Sequence, residues 1–383
     1  MQEEKENKIG PDPDAGGNKN AGRLIIAGGG TGGHIFPAIA IANAVKKLEP
    51  STEILFVGAT GKMEMSKVPQ AGYRIEGLDI AGFNRSSLIK NIGLPLKLIK
   101  SFIQVRSIFK QFKPDAVIGV GGYSSFPVLR YAQLKGIASY IHESNSFAGK
   151  SNMMLGKKAT RVFVATDGME KFFPASKITI TGNPVRPSIA NMHSVSKEES
   201  LKFFGLKPGK KTLLIVGGSL GARSINEAVA KGLDMLTGKG LQLIWQTGKT
   251  NATKWKSFEG ESVWVDEFIT EMEKAYAASD IVISRAGAMA IAELCVVKRP
   301  VLFVPFPFAA EDHQTVNALN LVQKQAAIMV KDNEATEKMI PAIIGLAEDE
   351  NRQIELKNNI GNYAVLNADE HIAREILEVL RNK

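Results

Sequence analysis

Short apolar runs alternate with amphipathic stretches along almost the whole chain. Strand-like runs fall at Arg23–Ala27, Glu53–Val57, Ala116–Val120, Ala138–Ile141, Arg161–Val164 and Ile178–Thr181, and helical stretches separate most of them. The rhythm restarts at Thr212–Val216 and continues through Leu241–Gln246, Val263–Glu267, Ile281–Ser284, Val301–Val304 and Ala327–Val330. Strands that alternate with helices predict an α/β protein with parallel sheets covered on both faces. Between the two series stands Gly182-Asn183-Pro184-Val185-Arg186-Pro187. Two prolines, a glycine and an asparagine there make a rigid turn rather than an element. His371–Leu380 reads as a closing amphipathic helix. The expected division is a tail over residues 1–20, one domain over 21–183, a second over 184–365, and a helix over 366–383 packing back on the first domain.

Each series opens on a glycine-rich loop placed between a strand and a helix. The first is Gly28-Gly29-Gly30-Thr31-Gly32-Gly33-His34; the second is Gly217-Gly218-Ser219-Leu220-Gly221-Ala222-Arg223. Glycines let the backbone turn sharply and approach a ligand, and a helix N-terminus behind them offers N–H groups to an anion. Two such loops predict two Rossmann-like domains facing each other across a cleft. Gly28, Gly30 and Gly33 match the dinucleotide pattern G-x-G-x-x-G, but Glu53 lies at the wrong end of the second strand to hold a ribose, which argues against a dehydrogenase.

Composition narrows the class. The 383 residues suffice for two domains, and the apolar share of 44% is that of a globular protein. No apolar run reaches the ~18 residues of a membrane-spanning helix. Met1–Asn20 is polar, lacks a signal-peptide core and reads as disordered; with the lone Cys295 in an apolar stretch, the cytosol is the simplest compartment. The net charge of +9 admits nucleic acid, anionic lipid or an acidic substrate. No zinc-finger spacing, RNA-binding signature or aromatic-interleaved basic stripe supports nucleic acid.

Candidate chemistry gathers at strand ends. His34 closes the first loop, where an imidazole either takes a hydroxyl proton near neutrality or braces the loop. Gly119–Ser125 and His142-Glu143-Ser144-Asn145 follow later strands of the first series and are expected to line the same cleft. In the second series Ser284–Glu293 turns from strand to helix, and Glu293 is either a ribose acceptor or a solvated helix glutamate. Asp312–Asn317 offers further polar groups, with a helix-capping Asp as the plainer account. No histidine spacing suits a metal.

Taken together these segments resemble one family closely: the MurG-type UDP-N-acetylglucosamine:undecaprenyl-pyrophosphoryl-MurNAc-pentapeptide N-acetylglucosaminyltransferases of bacterial peptidoglycan synthesis. The matching pieces are GGGTGGHIFPAIAIA, VGATGKMEMSKVPQAGY, GVGGYSSFP, HESNSFAGKSNMML, TGNPVR, GGSLGARSIN, QTGK, SRAGAMAIAEL and FVPFPFAAEDHQTVNA, in family order from Gly28 to Ala318. The resemblance implies a GT-B fold, with acceptor and membrane on the first domain and UDP-GlcNAc on the second. It implies that Ser219 and its loop hold the diphosphate, Ile269 meets uracil, and Ala288, Met289, Ala290, Ile291, Ala292 and Glu293 surround the nucleoside, with Glu293 on the ribose. Gln314 and Asn145 would contact the sugar, and Arg186 would lie at the hinge near the donor. Thr31, Gly32 and Gly33 would face the transfer centre, with His34 the candidate base. The implied reaction is inverting and uses no cofactor and no metal, loop N–H groups and a helix dipole stabilising the departing UDP; Asp12-Pro13-Asp14 has the letters of a metal clamp but sits in the tail.

The chain departs from the family at Phe126, where glycine is common, and at Ala290, where a hydroxyl residue is common. The stretch Ile80–Lys110 mixes Phe83, Leu88, Ile89, Ile92, Leu94, Leu96, Leu98 and Ile99 with Arg85, Lys90, Lys97, Lys100 and Arg106. That mixture suits peripheral attachment to anionic inner-leaflet lipid at the cytoplasmic face of the cell membrane, or else a core-facing helix with snorkelling lysines. Other cell-wall synthesis proteins are expected partners, and nucleic acid is not. Competing readings are a UDP-GlcNAc 2-epimerase, a natural-product glycosyltransferase, or a non-catalytic sugar-nucleotide sensor.

Overall fold

The computed structural model describes residues 22–82 and 93–381. The N-terminal tail and Phe83, Arg85, Leu88, Ile89, Lys90 and Ile92 lie outside the described residues.

Apolar runs become the strands of two sheets. The first holds β1 (Arg23–Ala27), β2 (Glu53–Ala59), β3 (Arg74–Leu78), β4 (Ala116–Gly119), β5 (Ala138–Glu143), β6 (Arg161–Val164) and β7 (Ile178–Ile180) in the order 3-2-1-4-5-6-7. The second holds β8 (Thr212–Val216), β9 (Gln242–Gln246), β10 (Val263–Asp266), β11 (Ile281–Ser284), β12 (Val301–Phe303) and β13 (Ile328–Met329) in the order 10-9-8-11-12-13. Every pairing is parallel. Strand order reverses between β1 and β4 and between β8 and β11, and such switch points open the crevice in which open α/β sheets bind ligands. The fold class is therefore the expected one, with one strand more than the apolar runs indicated. Arg74-Ile75-Glu76-Gly77-Leu78 is an edge strand; its exposed polar positions hide it from a search for continuous apolar runs.

Alternation within each strand feeds two cores per sheet. Leu24 and Ile26 pack with Ile35, Ala38, Ile41 and Val45 of the helix Gly32–Leu48. Ile25 and Ala27 face the opposite layer with Val105, Phe109, Val128 and Leu129. In the second domain Leu213 and Ile215 face one layer and Leu214 the other.

The chain crosses between the domains twice, first through Gly182–Arg186 and again after Gly361. Beyond the second crossing the helix Ala368–Arg381 buries Ile372, Ala373, Ile376, Leu377 and Leu380 in the core of the first sheet. Four large aliphatic side chains contribute roughly 6–12 kcal/mol of gross burial energy. The exposed ion pairs Lys47–Glu370 at 2.7 Å and Arg381–Glu49 at 3.3 Å add little beside that.

Candidate active site

The first glycine loop is braced from three sides. Gly28 N–H donates to Val57 O at 3.1 Å, Gly29 N–H to Gly121 O at 3.2 Å, and Gly30 N–H to the Glu64 carboxylate at 2.8 Å. The loop after β4 interlocks with it: a Cβ on Gly122, whose φ is +89°, would sit 2.4 Å from Gly29 O, so only glycine fits. His34 heads the helix behind the loop. Its Nδ1 lies 3.0 Å from Gly29 O, so Nδ1 carries the proton and Nε2 keeps its lone pair, packed over Gly121. Burial lowers the His34 pKa, opposed by the Gly29 carbonyl and the charges of Glu143 and Glu64 and reinforced by His313. At neutral pH the imidazole is therefore neutral and able to accept a proton. Thr31 is exposed at the loop tip, with Gly32 and Gly33 half-buried behind it.

Bracing in the second loop runs through carbonyls instead. Gly218 O accepts from Gly221 N–H at 3.0 Å and from Gln246 Nε2 at 3.2 Å, and Ser219 O accepts from Lys249 N–H at 3.2 Å. Ser219 is exposed. Gly221, at φ +85°, packs so closely on Thr247 O that a Cβ would lie 2.1 Å away. With these oxygens occupied, an anion site at this loop would draw on backbone N–H groups.

Glu293 is neither exposed nor free. Its carboxylate takes a bidentate pair from Arg186, Nε at 2.6 Å and Nη2 at 2.8 Å, and a hydrogen bond from the Tyr276 hydroxyl at 3.2 Å. The solvated-glutamate alternative is thus overturned: a carboxylate on the buried side of this helix needs partners, and the hinge arginine supplies the main one. Burial acts to lower the Arg186 pKa, but the Glu293 carboxylate outweighs it and holds the guanidinium above its ordinary value. Burial and the Glu293 charge push the Tyr276 phenol well up.

The helix Ala288–Val297 divides the remaining expected contacts between faces. Ala288, Ile291 and Ala292 line, with Cys295 and Asn183, a cavity of about 300 Å³ between the domains. Glu293 faces Arg186 and Tyr276 instead, while Met289 and Ala290 are half-buried. Ile269 is buried in the second-domain core, and its N–H donates to Gln246 Oε1 at 3.0 Å. Its side chain is a packing element, which leaves main-chain atoms for any base contact. Burial pushes the Cys295 thiol up to about 12, as befits a small core residue.

The helix His313–Val322 stitches the two domains together. Asn317 Oδ1 accepts from Ser146 N–H at 2.8 Å, and Asn317 Nδ2 donates to Asn145 Oδ1 at 3.2 Å. Asn320 Nδ2 reaches Thr166 Oγ1 at 2.9 Å, and Lys324 pairs with Asp167 at 3.1 Å. Asn145 is thereby held at the seam, further fixed by Glu143. Glu143 is buried and accepts from the Asn145 and Gly149 amides at 3.1 Å each and from Asn152 Nδ2 at 2.8 Å. Gln314 Oε1 is taken by Phe306 N–H at 3.0 Å. His313 donates Nδ1–H to Ala310 O at 2.7 Å, in the same tautomer as His34. The two residues before it, Glu311 and Asp312, both adopt left-handed φ near +50°, a strained run that sets where His313 stands.

The structure brings together the first loop, His34, Asn145 and the second-domain helix that begins at His313. It distributes Ala288–Glu293 over separate faces and places Ile269 in the core. Sequence reasoning passed over Glu64 and Tyr276, and left Glu143 and Asn317 without a specific role. Glu64 lies inside a quoted motif, yet nothing in its spacing says that it folds under a loop more than 30 residues away; Asn317 sits at a helical interval from His313, Asn320 and Lys324, a signal that could have marked the seam face. Among the described residues no group of three His, Cys, Asp or Glu is placed to hold a metal ion.

Residues 24–164 match the glycosyltransferase family 28 N-terminal domain, and residues 212–373 match the glycosyltransferase family 28 C-terminal domain. A UDP-N-acetylglucosamine--N-acetylmuramyl-(pentapeptide) pyrophosphoryl-undecaprenol N-acetylglucosamine transferase of Parabacteroides distasonis is 50% identical over 365 residues, 94% of this chain and 99% of that protein. The crystal structure of Acinetobacter baumannii MurG superposes with a TM-score of 0.77 at 28% identity, covering 93% of this chain and 99% of that one. A UDP-N-acetylglucosamine 2-epimerase superposes with a TM-score of 0.65 at 15% identity over 94% of this chain and 96% of that one, a likeness of fold alone.

Proposed function

The chain belongs to glycosyltransferase family 28, and from that premise we propose that it transfers N-acetylglucosamine from UDP-GlcNAc to the 4-hydroxyl of undecaprenyl-pyrophosphoryl-MurNAc-pentapeptide, with inversion at the anomeric carbon. The 50% identity to a transferase of that specificity, over nearly the whole of both chains, supports the reading over an epimerase, which shares the fold alone. The observation that carries the chemistry is His34: a neutral imidazole with Nδ1 tied to Gly29 O and Nε2 unprotonated, at the carboxyl edge of the first sheet. In this reading Nε2 takes the proton of the attacking hydroxyl. Its oxygen forms the bond to the anomeric carbon as the bond from that carbon to the diphosphate oxygen breaks. UDP leaves into the second loop at Ser219 and the N-terminus of the helix Arg223–Gly238, where amides and the helix dipole meet its charge. Thr31, Gly32 and Gly33 flank the acceptor, Arg186 and Glu293 sit beside the nucleoside, and Asn145 and Gln314 orient the sugar.

The acceptor's lipid chain implies that the first domain meets a membrane surface. Among the described residues no helix is long and apolar enough to cross one. The helix Leu94–Phe112 exposes Leu96 (73%), Ile99 (58%) and Ile103 (66%) along one face, beside Lys97 and Lys100. Apolar side chains that enter the interface beside lysines that meet anionic headgroups support peripheral docking at the cytoplasmic face.

Purified chain supplied with UDP-GlcNAc and the lipid-linked acceptor is expected to release UDP and label the lipid fraction one for one. His34→Ala should lower kcat by ~10²–10⁴-fold with little change in donor KM. UDP release that ignores the acceptor, or a His34→Ala variant with nearly full kcat, contradicts the reading.

A further inference from the structure

Glu64 is a carboxylate almost without solvent contact, 1% exposed, in a chain whose proposed chemistry has no use for it. It sits at the start of the helix Glu64–Gln70 and points under the first glycine loop. Oε1 accepts from Ala59 N–H at 3.0 Å and Oε2 from Gly30 N–H at 2.8 Å. Glycines clear the space around it. A Cβ on Gly29, at φ +151°, would stand 2.2 Å from the Glu64 carboxyl carbon, and a Cβ on Gly58 would stand 2.5 Å from its Cγ. Gly30 takes φ +86°, a conformation that turns its N–H down onto the carboxylate. Part of the glycine pattern read as a phosphate cradle therefore exists to admit an anion supplied by the protein itself.

The peptide group that Glu64 holds is the one His34 leans on. Gly29 C=O and Gly30 N–H are the two ends of a single amide. The N–H end donates to Glu64, and the C=O end accepts from His34 Nδ1 at 3.0 Å. We propose that Glu64 is a positioning residue for His34, acting through the Gly29–Gly30 peptide. A buried anion at the N–H end draws the amide's electrons toward its oxygen. The more negative oxygen grips Nδ1–H, fixes the tautomer that leaves Nε2 free, and stabilises the imidazolium once Nε2 has taken a proton. Carboxylates that hold the far nitrogen of a working histidine act by the same logic; here one amide stands between. The inference rests on the reading of His34 as the base. The other titratable groups that act on His34 are Glu143 and His142 from β5 and its C-terminal end, and His313 from the second domain, and none of them touches the Gly29–Gly30 amide.

The test uses the full chain and Glu64→Gln, which keeps the shape but has one acceptor oxygen for two N–H groups. ¹⁵N NMR of His34 in the free protein should show a fall in its pKa and a loss of the Nδ1–H tautomer. The acid limb of kcat/KM should move to lower pH with it, and kcat should fall by about 10- to 100-fold, the range known for outer partners of metal-bound histidines. In a His34→Ala background Glu64→Gln should lower kcat no further, whereas a merely structural brace would multiply the two losses. Glu64→Asp keeps the charge but cannot reach both amides, and should fall between wild type and Glu64→Gln. Should Glu64→Gln melt too low to study, Glu64→Asp carries the same NMR test. An unchanged His34 pKa and tautomer, or fully multiplicative losses, overturns the inference. Failure of the base reading shows separately, as a His34→Ala variant that keeps its kcat, because the NMR readout needs no turnover.

Discussion

Removing either partner of the Arg186–Glu293 pair should destabilise the second domain, and by unequal amounts. The side chain of Arg186 is 40% exposed and that of Glu293 7%. In Arg186→Ala the carboxylate stays buried with only the Tyr276 hydroxyl for company, the situation in which breaking a buried pair costs about 3–5 kcal/mol. In Glu293→Ala the guanidinium turns to water, and what is stranded is a buried phenol, about 1–3 kcal/mol for an unsatisfied group. A difference of about 2 kcal/mol corresponds to roughly 4–8 °C in a domain of this size. Circular dichroism melts of the two variants should therefore rank Arg186→Ala below Glu293→Ala. Donor kinetics on the same samples separate strut from contact. A ribose hydrogen bond to a carboxylate, worth about 1.5–3 kcal/mol, should raise the UDP-GlcNAc KM of Glu293→Ala by roughly 10- to 100-fold with kcat little changed. The reverse order of melting temperatures refutes the burial argument, and an unmoved KM removes the ribose from Glu293.

Reversing Lys90, Lys97 and Lys100 to Glu should weaken binding to anionic vesicles by roughly 100-fold, at about 1 kcal/mol per lysine, while turnover of a water-soluble acceptor survives; equal vesicle binding by variant and wild type would remove the helix Leu94–Phe112 from the membrane face. His142 is fully buried, and burial lowers its pKa to about 4. The unfolded chain takes up that proton near pH 6.5 and the folded one does not, so stability is intact above 6.5 and declines as pH falls toward 4, by about 3 kcal/mol in all. Urea unfolding at pH 7 and pH 5 should show the loss and His142→Asn should flatten it; an equal slope in both proteins would place the titration elsewhere.

The architecture was legible because parallel strands buried on both faces leave continuous apolar runs, and glycine loops mark where strands hand over to helices. What escaped was set by the third dimension. β3 at the sheet edge alternates polar with apolar, so no run betrays it. The burial of Glu293 depends on Arg186, 107 residues earlier in the chain, and no local pattern couples them. Ile269 reads as a ligand contact in a resemblance and as core in the packing, since a short motif does not say which atoms of a residue face the cleft. His34 was found as a strand-end histidine, but its tautomer follows from Gly29 O, and the hold on Gly29 follows from Glu64.

The proposed reaction is a transfer, with inversion, to one hydroxyl of a lipid-linked sugar. Proton NMR of the product made by the purified chain from UDP-GlcNAc and the lipid-linked acceptor tests it most directly. A single new disaccharide is expected, with GlcNAc in β linkage to the 4-oxygen of MurNAc. A product in α linkage, free GlcNAc, or UDP-sugar epimerised at carbon 2 would contradict it.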